Sequence, residues 1–577
     1  MELVVGDRIE DERGSRGTIR YIGSVATSKD ASTVYYGVEW DEWGRGLNDG
    51  SVTLPSGERV VYFDGPAGRI SSPHGTLEYK CSFLKKAKLL AGAKRATLIE
   101  RLLERYDRSA ADGEQGGDEE NGGKAIPGRD AVVTGEVGTT LGSQRPIELV
   151  GVQKLRTQQK LDTIEKISLS HCQITSLGAS VTSPLATLAP QITELDLSFN
   201  LLRSWDAVFE IIEELPLLDS LMLSGNRLRY DSAKYASQLE GRRYANVKAL
   251  VLNQTFIAWE QLGAILHRHF PSITELYLAS NGISDGDLAQ TLPSEASDTW
   301  LKSLEILDLS DNGLKSWKVI ENTLGTALVN LKQLIVNNNQ ISTLSVTSES
   351  TASPFAELNS LSLNYNLIDT WSSIDALNKF ERLHSLRFMR NPLTAQMGVG
   401  EARTLVIARA AYLQVFNASP IQSKERTDAE QMYLKRILHE LAAAKDSKEQ
   451  EATVLASHRR YKQLCGAYPD VVASATARGG GTGGPTTLGS SLIQVKIIPM
   501  TMNATTFDPL TKRMPQTMKL SQIKILVEKK FGIPSGDQLL AFRMDAKSMP
   551  QPLDDDSCEL SYYGLQDEAE ILVNDSS

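Results

Sequence analysis

A repeated apolar pattern between Ile164 and Leu393 constrains the fold of this chain more than any other feature. Each copy reads leucine-like, two residues, leucine-like, one residue, leucine-like, two residues, asparagine-like. The pattern occurs nine times, and successive asparagine positions lie 25 to 31 residues apart. The last three marked positions of the copies are Ile167, Leu169 and Cys172; Leu195, Leu197 and Asn200; Leu221, Leu223 and Asn226; Leu250, Leu252 and Thr255; Leu276, Leu278 and Asn281; Leu307, Leu309 and Asn312; Leu334, Val336 and Asn339; Leu361, Leu363 and Asn366; and Leu386, Phe388 and Asn391.

The spacing within a copy predicts a short strand followed by a turn. Alternating leucines place their side chains on one face of a strand, and the asparagine amide satisfies backbone groups that a turn leaves unpaired. One copy cannot bury its own apolar face, so neighbouring copies must stack. The pattern resembles the leucine-rich repeat family, which predicts an α/β solenoid over residues 161–395.

The side chains between the core leucines are predicted to face outward on the concave side of these strands. They form a candidate surface for a folded protein partner. The residues concerned are Asp196, Ser198, Tyr277, Asp308, Asn337, Asn364, Arg387 and Met389.

Residues 1–90 are predicted to form a small β-barrel. Short alternating runs at Arg16–Tyr21, Val34–Trp40 and Arg59–Phe63 are separated by glycine-rich turns. The sequence Tyr35-Tyr36-Gly37-Val38, followed by Gly46-Leu47-Asn48-Asp49-Gly50, resembles the CAP-Gly domain family. Taken alone, the Asn-Asp-Gly triplet would also suit a simple hairpin turn.

The CAP-Gly resemblance implies a groove that captures the acidic, aromatic C-terminal tail of α-tubulin. The family's lysine is replaced here by Leu47, which cannot pair with a carboxylate, and Arg45 is the neighbouring cation that could compensate. Asn48 would hydrogen-bond the tail, while Tyr35, Trp40 and Phe63 would form an apolar wall. The candidate tail-binding residues are Tyr35, Trp40, Arg45, Gly46, Leu47, Asn48, Asp49, Gly50 and Phe63.

The remaining segments connect, cap or extend the repeats. Residues 91–160 are predicted to contain a short helix before an acidic, glycine-rich linker, and residues 396–466 a repeat cap and helices. Residues 467–491 are predicted to be a second glycine-rich linker. Residues 492–577 show the order strand, strand, helix, strand and late strand, with the helix at Leu520–Phe531, and resemble an α+β ubiquitin-like β-grasp.

Composition and the absence of a signal sequence predict a cytoplasmic protein, the absence of a catalytic motif predicts that it is not an enzyme, and the CAP-Gly resemblance implies association with the cytoskeleton. Acidic residues outnumber basic ones by 71 to 61, which argues against nucleic-acid binding by phosphate neutralisation. The four cysteines form no CxxC pair, and no apolar run suggests a membrane span, so no metal, cofactor or membrane partner is expected. No catalytic constellation is found. His267 and His269 are expected to be surface residues, and Trp205, Trp317 and Trp371 to be repeat core.

The order of the three modules resembles that of the tubulin-folding cofactors. This resemblance implies a chaperone that binds α-tubulin and promotes assembly of the α/β-tubulin heterodimer. With a partner cofactor, such a protein also dissociates the heterodimer. The implied partners are α-tubulin, the heterodimer and the cofactors B, C and D, with the proteasome or ubiquitin receptors as further partners of the C-terminal domain. Two alternatives remain, a CAP-Gly microtubule adaptor without chaperone activity and a ubiquitin-pathway protein.

Overall fold

The computed structural model describes two compact units. It covers residues 3–106 and 161–575, apart from positions 31, 43, 66–69, 73–74, 78–79, 91–94, 179–183, 237–241, 291–298, 345–353, 396, 446, 480–491, 502–503, 545–549, 564 and 566. The first unit comprises Met1–Asn281 and Asp298–Trp300, and the second comprises Gly282–Ser297 and Leu301–Ser577. The linker predicted before the repeats lies largely outside the described residues. Among the described helices, none combines the length and the apolarity that a membrane span needs.

The N-terminal module is built on a four-stranded antiparallel sheet in the order β1-β2-β3-β8, with two additional hairpins, β4–β5 and β6–β7. Ile19, Val38 and Trp40 fill its core. The strands are β1 (Arg8–Glu10), β2 (Arg16–Gly23), β3 (Tyr35–Trp40), β4 (Ser51–Thr53), β5 (Arg59–Val61), β6 (Ile70–Ser72), β7 (Gly75–Leu77) and β8 (Cys81–Lys85).

A short arm joins this module to the repeats. It contains helix α1 (Lys86–Leu90), strand β9 (Ala96–Thr97) and helix α2 (Leu98–Tyr106). Leu98, Ile99 and Leu102 are the buried residues of α2, in agreement with the apolar spacing that predicts a helix here. Strand β9 pairs in parallel with β11 (Ile174–Ser176), which follows the first repeat strand.

Each repeat contributes one three-residue strand. Within the first unit β10, β12, β13, β14 and β15 pair in parallel, and in the second unit β16 to β19 do the same. Core leucines lie opposite one another, as Leu195 does to Leu221, so neighbouring copies stack leucine on leucine. The strands are β10 (Lys166–Ser168), β12 (Glu194–Asp196), β13 (Ser220–Met222), β14 (Ala249–Val251), β15 (Glu275–Tyr277), β16 (Ile306–Asp308), β17 (Gln333–Ile335), β18 (Ser360–Ser362) and β19 (Ser385–Arg387).

The repeat asparagines act as predicted, by satisfying the backbone of two neighbouring copies. Asn226 donates from Nδ2 to the carbonyls of Leu197 and Leu223 at 2.9 and 3.0 Å, and its Oδ1 accepts from the N–H of Leu202 at 3.3 Å. In all nine copies the preceding residue has a positive φ, which lets the chain turn after the strand. These residues are His171, Phe199, Gly225, Gln254, Ser280, Asp311, Asn338, Tyr365 and Arg390.

Helices connect many of the repeat strands, and their tryptophans are core residues. Trp205 and Trp317 are buried as predicted, Trp371 is half-buried, and Trp259 is a further buried tryptophan. The helices are α3 (Leu185–Leu188), α4 (Trp205–Glu213), α5 (Ser232–Ala236), α6 (Trp259–His269), α7 (Asp285–Ala289), α8 (Thr299–Ser303), α9 (Trp317–Leu324), α10 (Trp371–Ala376), which continues into a 3₁₀ turn (Leu377–Lys379), and α11 (Pro392–Ala395).

The prediction of a surface position for His269 is wrong. Its ring is 2% exposed and packs 4.3 Å from the ring of Phe209. Nδ1 lies 2.7 Å from the carbonyl oxygen of Arg242, and Nε2 lies 3.1 Å from the hydroxyl of Tyr230. Because both ring nitrogens have partners, a histidine is tolerated in this apolar interior.

Helices cover the C-terminal end of the repeats. They are α12 (Val399–Arg409), α13 (Ser423–Ala443), α14 (Lys448–Ser457), α15 (Tyr461–Ala467) and α16 (Pro469–Gly479), with a hairpin of β20 (Val415–Phe416) and β21 (Ser419–Pro420). Buried ion pairs accompany the apolar contacts: Arg409 donates to Asp375 at 2.7 Å, and Arg460 to Glu430 at 2.9 Å.

The prediction of a linker over residues 467–491 is wrong for its first part, because α16 occupies Pro469–Gly479. Proline at the first helical position costs no hydrogen bond and presets the helical φ. Val471 and Val472 then pack against the apolar cluster of the cap, which gives the helix a buried side. Residues 480–491 lie outside the described part of the chain.

The C-terminal module has a five-stranded sheet in the order β23-β22-β26-β24-β25. Parallel pairing of β22 with β26 at its centre and a helix packed on one face form a β-grasp arrangement. Helix α17 (Leu520–Phe531) has the predicted bounds and ends at Gly532, whose φ of 73° suits a helix C-cap. The other elements are β22 (Leu492–Pro499), β23 (Leu510–Pro515), β24 (Gln538–Arg543), β25 (Gln551–Leu553), α18 (Leu560–Tyr563) and β26 (Ala569–Asp575).

Candidate functional site

The Asn48-Asp49-Gly50 turn is held against strand β8. The N–H of Asn48 donates to the carbonyl of Cys81 at 3.0 Å, and the N–H of Cys81 donates back at 2.9 Å. Gly50 has a φ of 91°, and a Cβ there would collide with the carbonyl oxygen of Phe63. Glycine is therefore required at Gly50, both for the backbone conformation and for the close approach of the segment that contains Phe63.

A cluster of four half-buried aromatic rings lies beside this turn. Phe83 is its centre, with ring centroids 5.3 Å from Tyr62, 5.8 Å from Phe63 and 6.3 Å from Tyr21. Tyr62 is fixed by a hydrogen bond of 2.6 Å from the N–H of Ala26 to its hydroxyl. Of these rings the sequence-based site contained Phe63 alone. The alternation of residues along strand β2 places Tyr21 on the face that carries the cluster, and this pattern could have predicted a larger aromatic site.

Trp40 does not form the predicted apolar wall. Its side chain is 1% exposed, and Nε1 donates to Oγ of Ser82 at 3.1 Å, so it is a core residue. Strand β3 lies between β2 and β8. Its first residue, Tyr35, is half-exposed, whereas its last residue, Trp40, is buried. Tyr35 lies with its hydroxyl 3.4 Å from Oγ of Ser28.

The polar residues of the turn are tied to neighbours in different ways. Arg45 forms an ion pair with Asp11, and its guanidinium lies 4.7 Å from the ring centroid of Trp40. Its charge is therefore already matched by a carboxylate of the same module. Burial would raise the pKa of Asp11, but hydrogen bonds from Arg45 and from backbone N–H groups outweigh this and hold it below its usual value.

At this turn the side chain of Leu47 is exposed and that of Asn48 is half-buried. Oδ1 of Asn48 accepts from the N–H of Gly50 at 3.1 Å, which orients the side chain. Leu47 is 83% exposed, which is unusual for a large apolar side chain. The neighbouring carboxylate of Asp49 accepts from Ser51 and pairs with Arg59, and the hydrogen bond from the Ser51 hydroxyl is the largest cause of its lowered pKa.

The N-terminal module is attached to the first repeats at the ends of their strands. Arg16 donates from Nη1 to the carbonyl of Phe199 at 2.8 Å, and its guanidinium lies 4.9 Å from the ring centroid of that residue. Gln173 donates to Oε1 of Glu10 at 2.8 Å. Since Phe199 precedes the asparagine of its repeat, the module contacts the turns that follow the strands.

Ion pairs strengthen this attachment. Nη1 of Arg203 lies 2.6 Å from Oδ1 of Asp7, and Nε of Arg227 lies 3.4 Å from Oδ1 of Asp41. Asp41 also pairs with Arg8, whose side chain is almost fully buried. The position of the turn at Asn48 is thereby fixed relative to the first repeats.

The predicted concave-face residues differ in how available they are. Arg387 and Met389 are exposed, whereas Asp196 and Asp308 each accept a hydrogen bond from the N–H two residues later, at 2.9 and 2.8 Å. Ser198 is buried. The hydroxyl of Tyr277 donates to Oε2 of Glu275 at 3.0 Å, on the strand surface.

Asn337 and Asn364 belong to a second asparagine ladder that the repeat pattern does not predict. Oδ1 of Asn337 accepts from the N–H of Asn364 at 2.9 Å, and Oδ1 of Asn364 accepts from the N–H of Met389 at 2.7 Å. In the first unit Asn253 does the same for Ala279 at 2.7 Å. The signal was an asparagine two positions before the consensus one, as in the run Asn337 to Asn339.

Comparison with known families agrees with three modules. The chain matches the CAP-Gly domain family over residues 5–76, the leucine-rich repeat family over 295–445 and the ubiquitin-like domain family over 493–577. The fold and the glycine-rich turn thus define a multidomain protein that carries a CAP-Gly module, leucine-rich repeats and a ubiquitin-like domain.

Relatives that align over the whole chain identify the family within this class of multidomain proteins. Tubulin-folding cofactor E of Arabidopsis thaliana is 30% identical over 100% of this chain and 98% of the relative, and human tubulin-specific chaperone E is 30% identical over 99% and 98%. The chain belongs to the tubulin-folding cofactor E family, also named tubulin-specific chaperone E. A solved structure of the C-terminal ubiquitin-like domain of mouse tubulin-specific chaperone e is 23% identical, covers 17% of this chain and 96% of that chain, and has a TM-score of 0.14.

Proposed function

We propose that this protein is a cytoplasmic tubulin-folding cofactor that binds α-tubulin and promotes assembly of the α/β-tubulin heterodimer. The similarity to relatives named as tubulin-folding cofactor or chaperone over the full chain supports this role over that of an adaptor. It acts by binding rather than by catalysis. Its partners are the heterodimer and the other tubulin-folding cofactors B, C and D, and with one of these it also dissociates the heterodimer.

The α-tubulin tail binds at the Asn48 turn beside the aromatic cluster of Tyr21, Tyr62, Phe63 and Phe83. The observation that carries this assignment is the exposed Leu47 and the half-buried Asn48 next to half-buried rings. The rings supply an apolar surface for the terminal aromatic residue of the tail, and glycines permit close approach of its backbone. Asn48 donates to the tail, while Leu47 contributes contact area instead of charge.

The leucine-rich repeats bind the folded body of tubulin through their exposed strand faces. In the second unit Arg387 and Met389 offer the most accessible side chains of the predicted surface. The ion pairs of Asp7 and Asp41 hold the CAP-Gly module on the first repeats, so a captured tail stays close to that part of the solenoid. Two modest sites then reinforce each other through effective concentration.

The direct test is titration of the full chain into α/β-tubulin, both intact and after subtilisin has removed the C-terminal tails. The proposal predicts measurable binding to intact tubulin and at least ten-fold weaker binding without the tails. Equal binding to both forms would overturn the tail site and leave the repeats as the tubulin surface. Absence of binding to either form would overturn the cofactor role.

The variant Asn48→Asp tests the tail site without disrupting the turn. The aspartate keeps an oxygen that accepts from the N–H of Gly50, so the turn survives, but it loses the donor and adds a charge that repels an acidic tail. Binding to intact tubulin should fall several-fold, with no change for tail-less tubulin. Glu58→Gln, an exposed change on the β4–β5 hairpin of the same module, is the control and should leave both affinities unaltered.

A further inference from the structure

Three side chains with metal-binding atoms meet between helix α13 and the loop that joins β25 to α18. His439 belongs to α13, whereas Asp555 and Cys558 belong to the loop of the ubiquitin-like module. Their donor atoms all lie within 4.8 Å of one another, and Nε2 of His439 is 3.9 Å from Sγ of Cys558. All three residues are in the second compact unit.

These distances suit a zinc ion. Tetrahedral zinc has Zn–S bonds of about 2.3 Å and Zn–N bonds of about 2.0–2.1 Å, which place sulfur and nitrogen about 3.6 Å apart. The observed 3.9 Å between His439 and Cys558 needs only a small side-chain adjustment to reach that value. The set of thiolate, imidazole and carboxylate favours Zn²⁺ over Mg²⁺ and Ca²⁺, which prefer oxygen ligands alone.

The loop that carries two of the donors is held in place by hydrogen bonds. The N–H of Asp555 donates to the hydroxyl of Tyr563 at 2.7 Å, and the N–H of Cys558 donates to the carbonyl of Asp555 at 3.1 Å. The carbonyl of Cys558 accepts from the N–H of Leu520 at 2.9 Å, which ties the loop to helix α17. Oδ1 of Asp555 accepts from Ser557, a support of the kind that orients metal-binding carboxylates.

The electrostatic environment of the thiol agrees with a cation site. Cys558 is 3% exposed, and the carboxylate of Asp555 is hydrogen-bonded to its thiol. The nearby guanidinium of Arg436 is balanced by carboxylates, 3.3 Å from Oε1 of Glu440 and 3.8 Å from Oδ2 of Asp554. A zinc ion would supply the positive charge that stabilises the thiolate, and its binding would release the thiol proton.

We propose that His439, Asp555 and Cys558 bind Zn²⁺ and that the ion fastens the ubiquitin-like module to helix α13. Three protein ligands leave a fourth position for water. A cavity of about 480 Å³ is lined by His439 and Asp555, among other residues, so an ion has a route of entry to these two ligands. This site is independent of tubulin binding, and sequence spacing does not reveal it because 119 residues separate His439 from Cys558.

Metal binding is tested on the full chain, first stripped with EDTA and then titrated with Co²⁺ as a spectroscopic probe. One equivalent of Co²⁺ should give a thiolate-to-cobalt charge-transfer band that Zn²⁺ removes by displacement. His439→Gln changes an exposed residue and should leave the fold intact, yet weaken zinc binding at least 100-fold, more than loss of a supporting residue costs. Cys465→Ser, which removes a half-buried thiol of helix α15, is the control and should keep the band.

Alkylation of Cys558, followed by peptide mass spectrometry, gives a second readout that does not depend on colour. Zinc should slow alkylation more than ten-fold in the native chain and leave it unchanged in His439→Gln. The proposal is overturned if no charge-transfer band forms, if His439→Gln retains the band and the affinity, or if zinc does not protect Cys558.

Discussion

Nη1 of Arg203 lies 2.6 Å from Oδ1 of Asp7, and this ion pair joins the CAP-Gly module to a repeat 196 residues further along the chain. The Asp7 carboxylate is buried, and its other oxygen accepts from Nη1 of Arg95 at 2.9 Å. Arg203 is half-exposed, so solvent screens its share of the pair, whereas Arg95 is largely buried. Asp7 is thus a single anion that connects the module, the arm and the repeats.

Replacing Asp7 by asparagine should loosen this attachment. The change removes a charge that accepts two hydrogen bonds from arginines, and such bonds contribute about 1.5–3 kcal/mol each. Faster amide hydrogen exchange is expected in β1 and in the segment around Arg203. Asp64→Asn, at an exposed position of the same module, is the matched control and should leave exchange unchanged. Equal exchange in the native chain and in Asp7→Asn would contradict the attachment.

The same carboxylate makes the attachment sensitive to acid. Burial alone would raise the pKa of Asp7, but the hydrogen bonds from Arg95 and the Val4 N–H, with the charges of Arg95 and Arg203, lower it below 3.8. A group with a lowered pKa in the folded state contributes fully above its unfolded value of about 3.9 and loses its contribution as pH falls through the folded pKa. Exchange in β1 should therefore stay constant from pH 7 to 5 after correction for intrinsic rates, and rise below about pH 4.

The repeat asparagines should differ in cost according to how many backbone groups they satisfy. Asn226 serves two carbonyls at 2.9 and 3.0 Å and the N–H of Leu202, and it is fully buried. Asn226→Ala should lower the midpoint of urea unfolding by an amount equivalent to about 3 kcal/mol, because several buried groups lose partners. At the equivalent position the single hydroxyl proton of Thr255 is shared between the carbonyl of Leu252 at 2.9 Å and Oδ1 of Asn281 at 3.1 Å.

Thr255→Ala is the matched comparison and should cost about 1 kcal/mol, since fewer backbone groups depend on its side chain. Urea unfolding followed by tryptophan fluorescence reports both changes, because Trp205 and Trp259 lie in the helices of these repeats. Similar midpoints for the two variants would show that the asparagine bonds do not set the stability of the repeats.

Sequence predicted the repeats well because their signal is local and periodic. Each core leucine occupies a fixed strand position within its copy. The consensus asparagine hydrogen-bonds backbone groups of its own copy and of the adjacent one, so the position of a residue in the repeat determines which residues it contacts. The helix Leu520–Phe531 is a similar case of local periodicity. These elements needed no knowledge of distant residues.

Contacts between distant residues were not predictable in this way. The pairing of Arg45 with Asp11, the burial of Trp40 by both neighbouring strands, and the pair of Asp7 with Arg203 all depend on how separate segments pack. The sequence also predicted that Asn337 would face a partner from the repeat surface. An asparagine that hydrogen-bonds the next repeat and one that faces solvent have the same sequence pattern. Tertiary packing decides between these outcomes.

Leu47→Lys is expected to strengthen tail binding at the CAP-Gly turn. Leu47 is 83% exposed, so a lysine fits without repacking, and an ammonium beside Asn48 would attract the acidic tail. Because exposed charge pairs contribute about 0.2–1 kcal/mol, the gain should be two- to five-fold at low salt and smaller at high salt. Titration with intact and tail-less tubulin measures it. An equal gain with tail-less tubulin would place the effect outside the tail site.

Lowering the pH from 7.5 to 5.5 should destabilise the first unit through His269. Burial lowers the pKa of this imidazole, and the positive charges of Arg268 and Arg242 add to the effect, although the hydrogen bond to the Arg242 carbonyl opposes it. The folded protein thus resists protonation that the unfolded chain accepts below about pH 6.5, so stability is full above that pH and falls as the pH drops toward the folded pKa.

The expected loss is measured as a fall in the urea midpoint of the transition reported by tryptophan fluorescence. His269→Gln retains a donor for the Arg242 carbonyl 2.7 Å away but cannot be protonated, so its midpoint should vary much less with pH. His267→Gln, a change at a half-buried position of the same helix, is the control and should keep the native dependence. If the midpoint of His269→Gln varies with pH as much as that of the native chain, the pH dependence comes from another titratable group and the prediction is wrong.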